Sequence, residues 1–199
     1  MTELSTPLTA NALNRIFLEA RSVNHFSDRP VTPEHLRALY DLMKWGPTAM
    51  NAQPARLVFV TTQEAKQRLA PALAPTNVDK TMRAPVTVIV AQDSAFHDQL
   101  PTQFPAYDAR PMFEANAALR ESTAMRNSSM QAGYLIIAAR ALGLDAGPMS
   151  GFDNKKLDEA FFADGAWQSN VLINLGFGDA TGNHPRGPRL SFDEACKIL

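Results

Sequence analysis

Apolar residues recur at helical spacing in two stretches near the start of the chain. The first stretch comprises Leu13, Ile16, Phe17 and Ala20, and the second comprises Leu36, Leu39, Tyr40 and Met43. Spacings of three and four residues place side chains on one face of a helix, so both stretches predict amphipathic helices. Thr32 and Pro33 precede the second stretch and suit an N-cap followed by a proline at the first helical position.

Three shorter runs are typical of strands. Residues 56–60, 86–90 and 171–175 are rich in valine and other large apolar residues, and the third run leads into a Gly-Phe-Gly sequence. β-Branched and aromatic side chains fit the pleated surface of a sheet, so each run predicts a strand.

Shorter helices are predicted between and after these strands. Thr62 is a candidate cap for a helix that ends near Leu69, and another helix ends near Phe161. Ser191 and Glu194 have the spacing of a capping box, which predicts a short terminal helix. This order of helices and strands is typical of an α/β or α+β domain.

The longest apolar run covers residues 132–144 and is interrupted only by Arg140. It is too short to span a bilayer as a helix, and Gln131 and Asp145 close its two ends. We expect a helix that is buried on nearly all sides. In a chain of this size such burial requires packing from several directions, including a second subunit.

Both periodic patterns fail between residues 93 and 112, where Pro101, Pro105 and Pro111 interrupt the chain. An irregular run of this length inside a compact domain is uncommon and often forms a lid or a binding loop. We therefore expect a flexible segment that covers an active site.

Composition restricts the class of protein further. With 199 residues, of which 45% are hydrophobic and 20% charged, the chain can form one domain over residues 1–199. The formal net charge of −1 argues against a basic surface for nucleic acid or acidic lipid. Cys196 is the only cysteine, which excludes an intramolecular disulfide and suits the cytosol. The first ten residues lack the features of a signal peptide.

Signatures of several common active sites are absent from the sequence. There is no G-x-G-x-x-G after a strand, no G-x-x-x-x-G-K-[ST] phosphate loop and no G-x-S-x-G nucleophile motif. The four histidines lack the paired spacing of metal ligands, so we predict no metal site. This pattern favours a bound cofactor that supplies the chemistry.

Two segments carry arginines that suit an anion. Residues 20–26 read Ala-Arg-Ser-Val-Asn-His-Phe, and two more arginines, Arg186 and Arg189, stand among prolines near the C-terminus. A guanidinium offers two donors at once to a phosphate, so the two segments could form a phosphate clamp. The alternative is a set of solvated polar residues at a helix end and on a charged tail.

Two further segments present amides and small residues. Residues 47–54 read Pro-Thr-Ala-Met-Asn-Ala-Gln-Pro, a proline-bracketed loop that can present hydrogen-bonding groups. The alternative is an ordinary helix-to-strand connection. Asn77 and Lys80 lie three residues apart ahead of the strand predicted at 86–90.

Together the four segments resemble the nitroreductase superfamily of FMN-dependent oxidoreductases. Residues 20–26 match the family pattern R-[RHS]-S-x-[RKN]-x-F, and residues 47–54 match P-S-x-x-N-x-Q-P. The pair Asn77 and Lys80 matches an asparagine and lysine of the family, and the turn at 147–152 falls where the family presents backbone amides to the flavin. These motifs are short, but their order holds along nearly the whole chain.

The resemblance implies an α+β fold of the three-layer α/β sandwich type, with a mixed central sheet and a long helix at a dimer interface. It implies FMN as cofactor, NAD(P)H as hydride donor and a homodimer with each flavin between subunits, so that residues 47–51 serve the flavin of the partner. The flavin carries the hydride and no side chain is expected to be catalytic. The residues implied in FMN binding are Arg21, Ser22, Asn24, Pro47, Thr48, Ala49, Asn51, Asn77, Lys80, Pro148, Ser150, Gly151, Arg186 and Arg189.

The chain departs from the family pattern at five positions. In the second motif Thr48 stands for the serine, and Ala55 for the tryptophan that follows the motif's last proline. Ala20 stands where many relatives have arginine, Asn24 replaces a basic residue, and Ser150 replaces a common glutamate. The phosphate must therefore depend on Arg21, Ser22 and Arg189.

The variant motifs are most similar to those of malonic semialdehyde reductases, so the expected reaction converts a small aldehyde to the hydroxy acid. Arg110 is the candidate for binding the substrate carboxylate, and a solvated loop arginine is the alternative. Reduction of nitroaromatics or quinones is the alternative reaction. A flavin-binding protein without turnover is the alternative from another class.

Overall fold

A central sheet of four strands forms the frame of the molecule, and the computed structural model describes residues 6–179, 181 and 184–199. The strands are β1 (Ala55–Val60), β2 (Val86–Asp93), β3 (Asp145–Met149) and β4 (Trp167–Gly176), in the order β1-β2-β4-β3. All three strand pairs are antiparallel. The predicted mixed sheet is therefore wrong for the described residues. The parallel pairing among them is an isolated bridge between Ser22 and Ala146.

Helices flank this sheet on both faces. They are α1 (Ala10–Leu13), continued by a π-helical segment (Asn14–Leu18), α2 (Pro33–Met43), α3 (Gln63–Leu69), α4 (Pro75–Arg83), α5 (Leu100–Gln103), α6 (Arg110–Ala115), α7 (Ala117–Ala141), α8 (Asn154–Phe161) and α9 (Phe192–Ala195). The predicted caps are confirmed at Thr62, whose Oγ1 accepts from the Ala65 N–H, and at Ser191, whose N–H donates to Glu194. None of the described helices is long and apolar enough to cross a membrane.

Two hydrophobic cores lie on opposite faces of the sheet. On one face, Val88 and Ile173 pack with Leu135 of α7 and Leu39 of α2. On the other face, residues such as Ile89 and Leu172 pack with residues of α3 and α8. Alternate residues of one strand enter opposite cores, as a two-sided sheet requires. The three layers predicted from the family resemblance are therefore present.

Strand β3 was not predicted from the sequence, which favoured a turn at 147–152. Its sequence, Asp-Ala-Gly-Pro-Met, has no β-branched residue and contains three residues, Asp145, Gly147 and Pro148, of types that are depleted in strands. The strand forms because it lies at the edge of the sheet, where Pro148 pairs with Ile173 and its missing N–H is tolerated.

Helix α7 is longer and more exposed than the apolar run at 132–144 predicts. The Asn116 side chain caps its start by accepting from the Leu119 N–H at 2.9 Å, and Gly143 follows its end with a φ of +82°. A left-handed glycine is the common way to end a helix, so the last apolar residues of the run lie outside it. The run is not buried on all sides within the single chain, because Tyr134 is 40% exposed, and its burial by a second subunit stays a prediction.

The predicted flexible segment at 93–112 contains ordered helical turns. A short 3-10 helix (Phe96–Gln99), α5 and the start of α6 replace the expected irregular chain. Phe96, Leu100 and Phe113 are buried in a third cluster that reaches Ala52 and Ala124. Pro101 and Pro111 sit in the first turns of α5 and α6, where the missing N–H costs little, and Pro105 lies in the turn between them. The segment is therefore a packed surface feature.

Candidate functional site

A cavity of about 350 Å³ lies between the opening helical segment and the C-terminal tail. Its lining includes four arginines, and no carboxylate is among the described residues that line it. The lining residues are Phe17, Ala20, Arg21, Ser22, Asn24, Arg140, His184, Pro185, Arg186, Gly187 and Arg189. The structure thus brings together two sequence segments that lie about 160 positions apart, as a phosphate clamp requires.

The segment that carries Arg21 and Ser22 runs beside strand β3. The Val23 N–H donates to the Ala146 carbonyl at 3.1 Å, next to the bridge between Ser22 and Ala146. A side chain at Gly147 would bring its Cβ within 2.3 Å of the Val23 carbonyl oxygen. Glycine at this position therefore allows the two backbones to approach, which fixes Ser22 and Asn24 against the sheet.

Arg186 connects the tail to the turn that follows the opening segment, since its guanidinium donates to the carbonyls of Leu18 and Ala20, the latter at 3.0 Å. Arg21 bonds within its own segment, to the Glu19 and Ala20 carbonyls at 3.1 Å. The Arg186 bonds hold the tail over the cavity, and both side chains spend part of their donor capacity on carbonyls.

Arg140 is the most enclosed cation of the cavity and donates to the Ile16 carbonyl at 2.9 Å. Burial lowers the pKa of Arg140, and the nearby charges of Arg15 and Arg186 act in the same direction, while Asp145 opposes them. Arginine remains protonated in proteins, so the cavity concentrates positive charge. A bound anion would relieve this repulsion.

A second cavity of about 500 Å³ adjoins the first and shares Asn24 and His184 with it. It is also lined by His25, Thr76, Asp79, Lys80 and Arg83. Helix α4 supplies the last four residues of this list. The predicted residues Arg21, Ser22, Asn24, Lys80, Arg186 and Arg189 therefore surround one continuous region.

The turn after β3 is attached to helix α4. The Gly151 carbonyl accepts from the Asn77 side chain at 2.8 Å and from the Ala74 N–H at 3.0 Å, and Asn77 is 6% exposed. A Cβ at Gly151 would lie 2.7 Å from Asn77 Nδ2. Pro148 and Ser150 are exposed on one face of this turn. Asn77 thus positions the turn that presents Ser150 and Gly151.

The loop at 47–54 lies apart from these cavities and carries unusual backbone conformations. Met50, Asn51 and Gln53 have positive φ values of 51°, 49° and 43°. Non-glycine residues in the left-handed region cost on the order of 1–3 kcal/mol each and persist where surrounding contacts hold them. The Gln53 N–H donates to Thr48 Oγ1 at 3.1 Å, which closes the loop on itself.

Arg110 lies at the start of α6, on the segment at 93–112. Its guanidinium is 3.5 Å from Glu114 and 4.0 Å from Asp108, and its side chain is 44% exposed. Two carboxylates therefore share this cation with solvent.

Several residues of the region escaped the motif analysis. Arg140 and His184 line the first cavity, and Arg83 and Thr76 line the second. The signal for Arg140 was present in the sequence, since a lone arginine in a long apolar run requires a specific partner. The described residues contain no group of three or more histidine, cysteine, aspartate or glutamate side chains suited to a metal.

The sequence of this chain matches a family model and curated relatives. A sequence model described as "Nitroreductase family" matches residues 18–177. A protein of Stenotrophomonas maltophilia (strain R551-3), named as an NADH dehydrogenase/NAD(P)H nitroreductase, is 58% identical over 195 residues, which are 98% of this chain and 100% of that protein.

Solved structures share the fold at low sequence identity. A nitroreductase of Bacillus subtilis superposes with a TM-score of 0.85 at 22% identity, covering 96% of this chain and all of that one. A nitroreductase of Exiguobacterium sibiricum 255-15, solved in complex with FMN, superposes with a TM-score of 0.84 at 22% identity, covering 98% of this chain and all of that one. The sequence match and the shared fold together show that the chain belongs to the nitroreductase family.

Proposed function

We propose that this protein is an FMN-dependent oxidoreductase that takes reducing equivalents from NAD(P)H. The observation that carries the proposal is the arginine-lined cavity, which collects four guanidinium groups, Ser22 and Asn24 around a space of about 350 Å³. The relative from Stenotrophomonas is named for NAD(P)H, and the Exiguobacterium structure contains FMN.

The donor set fits a flavin mononucleotide with its phosphate in the first cavity. Arg21, Ser22 and Arg189 would hold the phosphate, because guanidinium and hydroxyl donors match its three acceptor oxygens. Lys80, which lines the adjoining cavity, would meet the polar edge of the ring, together with the turn at Ser150 and Gly151 that Asn77 attaches to the same helix. The absence of a G-x-G-x-x-G motif favours a mononucleotide over a dinucleotide.

Bound FMN supplies the redox chemistry by accepting a hydride from a nicotinamide and passing reducing equivalents to an acceptor. The chain would hold the phosphate with arginines and fix the turn after β3 through Asn77. None of these tasks requires a side chain that reacts covalently.

We further propose a homodimer that forms through the exposed face of α7. Met130 and Tyr134 are 45% and 40% exposed and lie one helical turn apart, while another face of α7 packs on the sheet. Adjacent exposed large apolar side chains on one helix face are typical of a protein interface. The loop at 47–54 contacts α7 and lies apart from the arginine cavity of its own chain, which supports a role at the flavin of the second subunit.

Two classes of electron acceptor are alternatives within this proposal. Malonic semialdehyde or a similar small aldehyde remains our first choice, on the strength of the motif resemblance and with Arg110 as the candidate carboxylate ligand. A nitroaromatic or quinone is the second choice, and the name of the Stenotrophomonas relative favours it. The ion pairs of Arg110 with Asp108 and Glu114 also favour the second choice, because they offset the charge that a carboxylate would need.

The test is an absorption spectrum of the purified protein before and after addition of FMN. We expect a yellow protein that releases FMN on denaturation. Protein that stays colourless and gains no bound flavin absorbance would contradict the proposal. Steady-state oxidation of NADH or NADPH with malonic semialdehyde, a nitroaromatic and a quinone then selects the acceptor.

A further inference from the structure

The strained backbone of the loop at 47–54 needs contacts with other elements of the chain to hold its position. Three of its residues are left-handed without being glycine, and the bond from the Gln53 N–H to Thr48 Oγ1 is internal to the loop. An internal bond cannot fix the position of the loop relative to the rest of the molecule. The position must come from contacts that reach other elements.

Two buried side-chain amides of α7 supply such contacts, one to Ala49 within the loop and one to Ala55, which follows the loop and begins β1. The Ala49 N–H donates to Asn127 Oδ1 at 2.8 Å, and the Ala55 N–H donates to Gln131 Oε1 at 2.9 Å. Asn127 and Gln131 are 5% and 4% exposed, and they lie one helical turn apart on the same face.

The orientation of Asn127 is fixed by a second bond. Its Nδ2 donates to the Thr123 carbonyl at 2.8 Å within the same helix, so its Oδ1 must face the loop. Buried amides of this kind hold a defined geometry because the alternative leaves a backbone N–H without a partner. The two contacts join sequence positions 76 and 78 residues apart.

We propose that Asn127 and Gln131 are positioning residues that hold the loop at 47–54 in its cofactor-binding conformation. The inference rests on the proposed function, in which this loop meets the flavin of the second subunit. The same helix presents Met130 and Tyr134 outward between and after these amides. One rigid helix thus connects the subunit interface to the loop, and it sets the distance from the loop to the neighbouring flavin site.

The test compares two substitutions at one position with a control on the same helix. Gln131→Met keeps the length of the side chain and removes the acceptor, whereas Gln131→Glu keeps an acceptor for the Ala55 N–H. Gln131 borders a cavity of about 220 Å³, which gives space for water around a carboxylate. Leu135→Val is the control, because Leu135 is fully buried one turn further on and packs in the core on the α7 face of the sheet.

Two readouts are needed, namely amide hydrogen exchange at Ala55 in the flavin-free protein and the Kd for FMN. We expect exchange at Ala55 to accelerate about tenfold in Gln131→Met and to return close to the wild-type rate in Gln131→Glu. The Kd for FMN should rise about tenfold in Gln131→Met and change little in the other two variants.

The outcomes separate the inference from the proposed function. Unchanged exchange in Gln131→Met, or an equal rise in Kd in Leu135→Val, would overturn the positioning role. Wild-type protein that binds no FMN would overturn the proposed function, and the exchange rates would still decide whether the amide holds the loop. Asn127→Leu, measured at the Ala49 amide, repeats the comparison at the other end of the loop.

Discussion

Arg186 and Arg189 lie three residues apart on the tail, yet their guanidinium groups have different partners. Arg186 reaches back to the carbonyls of Leu18 and Ala20, whereas Arg189 bonds to the carbonyls of Gly187 and Pro188 beside it. Hydrogen bonds to the carbonyls of neighbouring residues are readily replaced by hydrogen bonds to a ligand. Arg189 is therefore the side chain more available to a phosphate.

We predict that Arg189→Ala weakens FMN binding more than Arg186→Ala does. Loss of a charge-assisted phosphate contact costs about 1.5–3 kcal/mol, which is roughly a tenfold or greater rise in Kd. Titration of flavin fluorescence against each variant measures the difference. Equal effects would place the phosphate between the two arginines.

The ion pairs of Arg110 permit a test of acceptor choice. If Arg110 binds a substrate carboxylate, Arg110→Ala should raise the KM for malonic semialdehyde and leave the reduction of a neutral quinone nearly unchanged. Steady-state kinetics with the two acceptors provides the measurement. A uniform loss with both acceptors would show that Arg110 instead stabilises α6 through Glu114.

Lys66 is buried with no carboxylate partner among the described residues and donates to the carbonyls of Met82 and Ala84 at the end of α4. Burial lowers the pKa of Lys66 below its ordinary value of 10.5. Between the lowered pKa and 10.5 the unfolded chain holds more protons than the folded one, so this lysine makes stability rise with pH.

We predict that Lys66→Met removes this contribution. The free energy of unfolding of the variant should fall relative to wild type as pH rises through the alkaline range toward 10.5. Urea titrations at several pH values measure the difference. Lys155→Met is the control, since Lys155 is largely exposed on α8 and should show no such trend.

Short sequence motifs predict residues whose functional role can be inferred from their immediate neighbours in the sequence. Arg21, Ser22, Asn24 and Lys80 were found in this way, and the structure places all four around the cavities. Asn127 was not found, because its role depends on a partner 78 positions away. An amide in a polar helix carries no local sign of burial.

Helix α7 shows that the pattern of apolar residues alone does not predict which residues of a helix are buried. Its first half contains buried Asn127 and Ser128, whose polar side chains are typical of surface residues. Its second half contains exposed Tyr134, which reads as core. The helix has polar contacts inside and apolar residues outside because it faces the loop at 47–54 on one side and an interface on the other.

We predict that Met130→Glu disrupts the homodimer. A charge placed at the centre of an apolar interface must be desolvated without a partner, which strongly opposes association. Light scattering at micromolar concentration should return the dimer mass for wild type and the monomer mass for the variant. Gln67→Glu, which adds the same charge to an exposed site on α3, should remain dimeric. A monomeric wild type with flavin bound would contradict the proposed interface.

The strands show the other limit of sequence patterns. The runs at 56–60, 86–90 and 171–175 were confirmed as β1, β2 and β4, all of which contribute buried apolar side chains. Strand β3 contains glycine and proline and forms only because β4 offers it a partner. Pairing between distant segments decides such strands, and local composition cannot show it.

For the whole protein, we expect FMN binding to raise the melting temperature, Tm. Ligand at about a hundred times its Kd stabilises the folded state by about 2.7 kcal/mol. For a chain of this length, each kcal/mol shifts the Tm by roughly 2–4 °C. FMN at saturating concentration is therefore expected to raise the Tm by several degrees.

Riboflavin provides the matched comparison, since it has the same ring and lacks the phosphate. We predict that riboflavin at the same concentration raises the Tm much less than FMN, because the arginine cavity then has no anion to bind. Differential scanning fluorimetry or calorimetry measures both shifts. Equal shifts would mean that the arginine cavity contributes nothing to flavin affinity.

The two outer strands of the sheet differ in how readily another extended chain could be added to them. At β3, Pro148 lacks an N–H, and the backbone of Ser22 already occupies a position beside Ala146. At β1, the described residues provide no strand on the outer side, and a run of valine, phenylalanine and leucine follows Arg56. An unpaired edge is a template for fibril growth, whereas proline and a covered edge resist it. Aggregation under heat or shear should therefore begin at β1, and mass spectrometry of protease-resistant aggregate cores should recover its residues before those of β3.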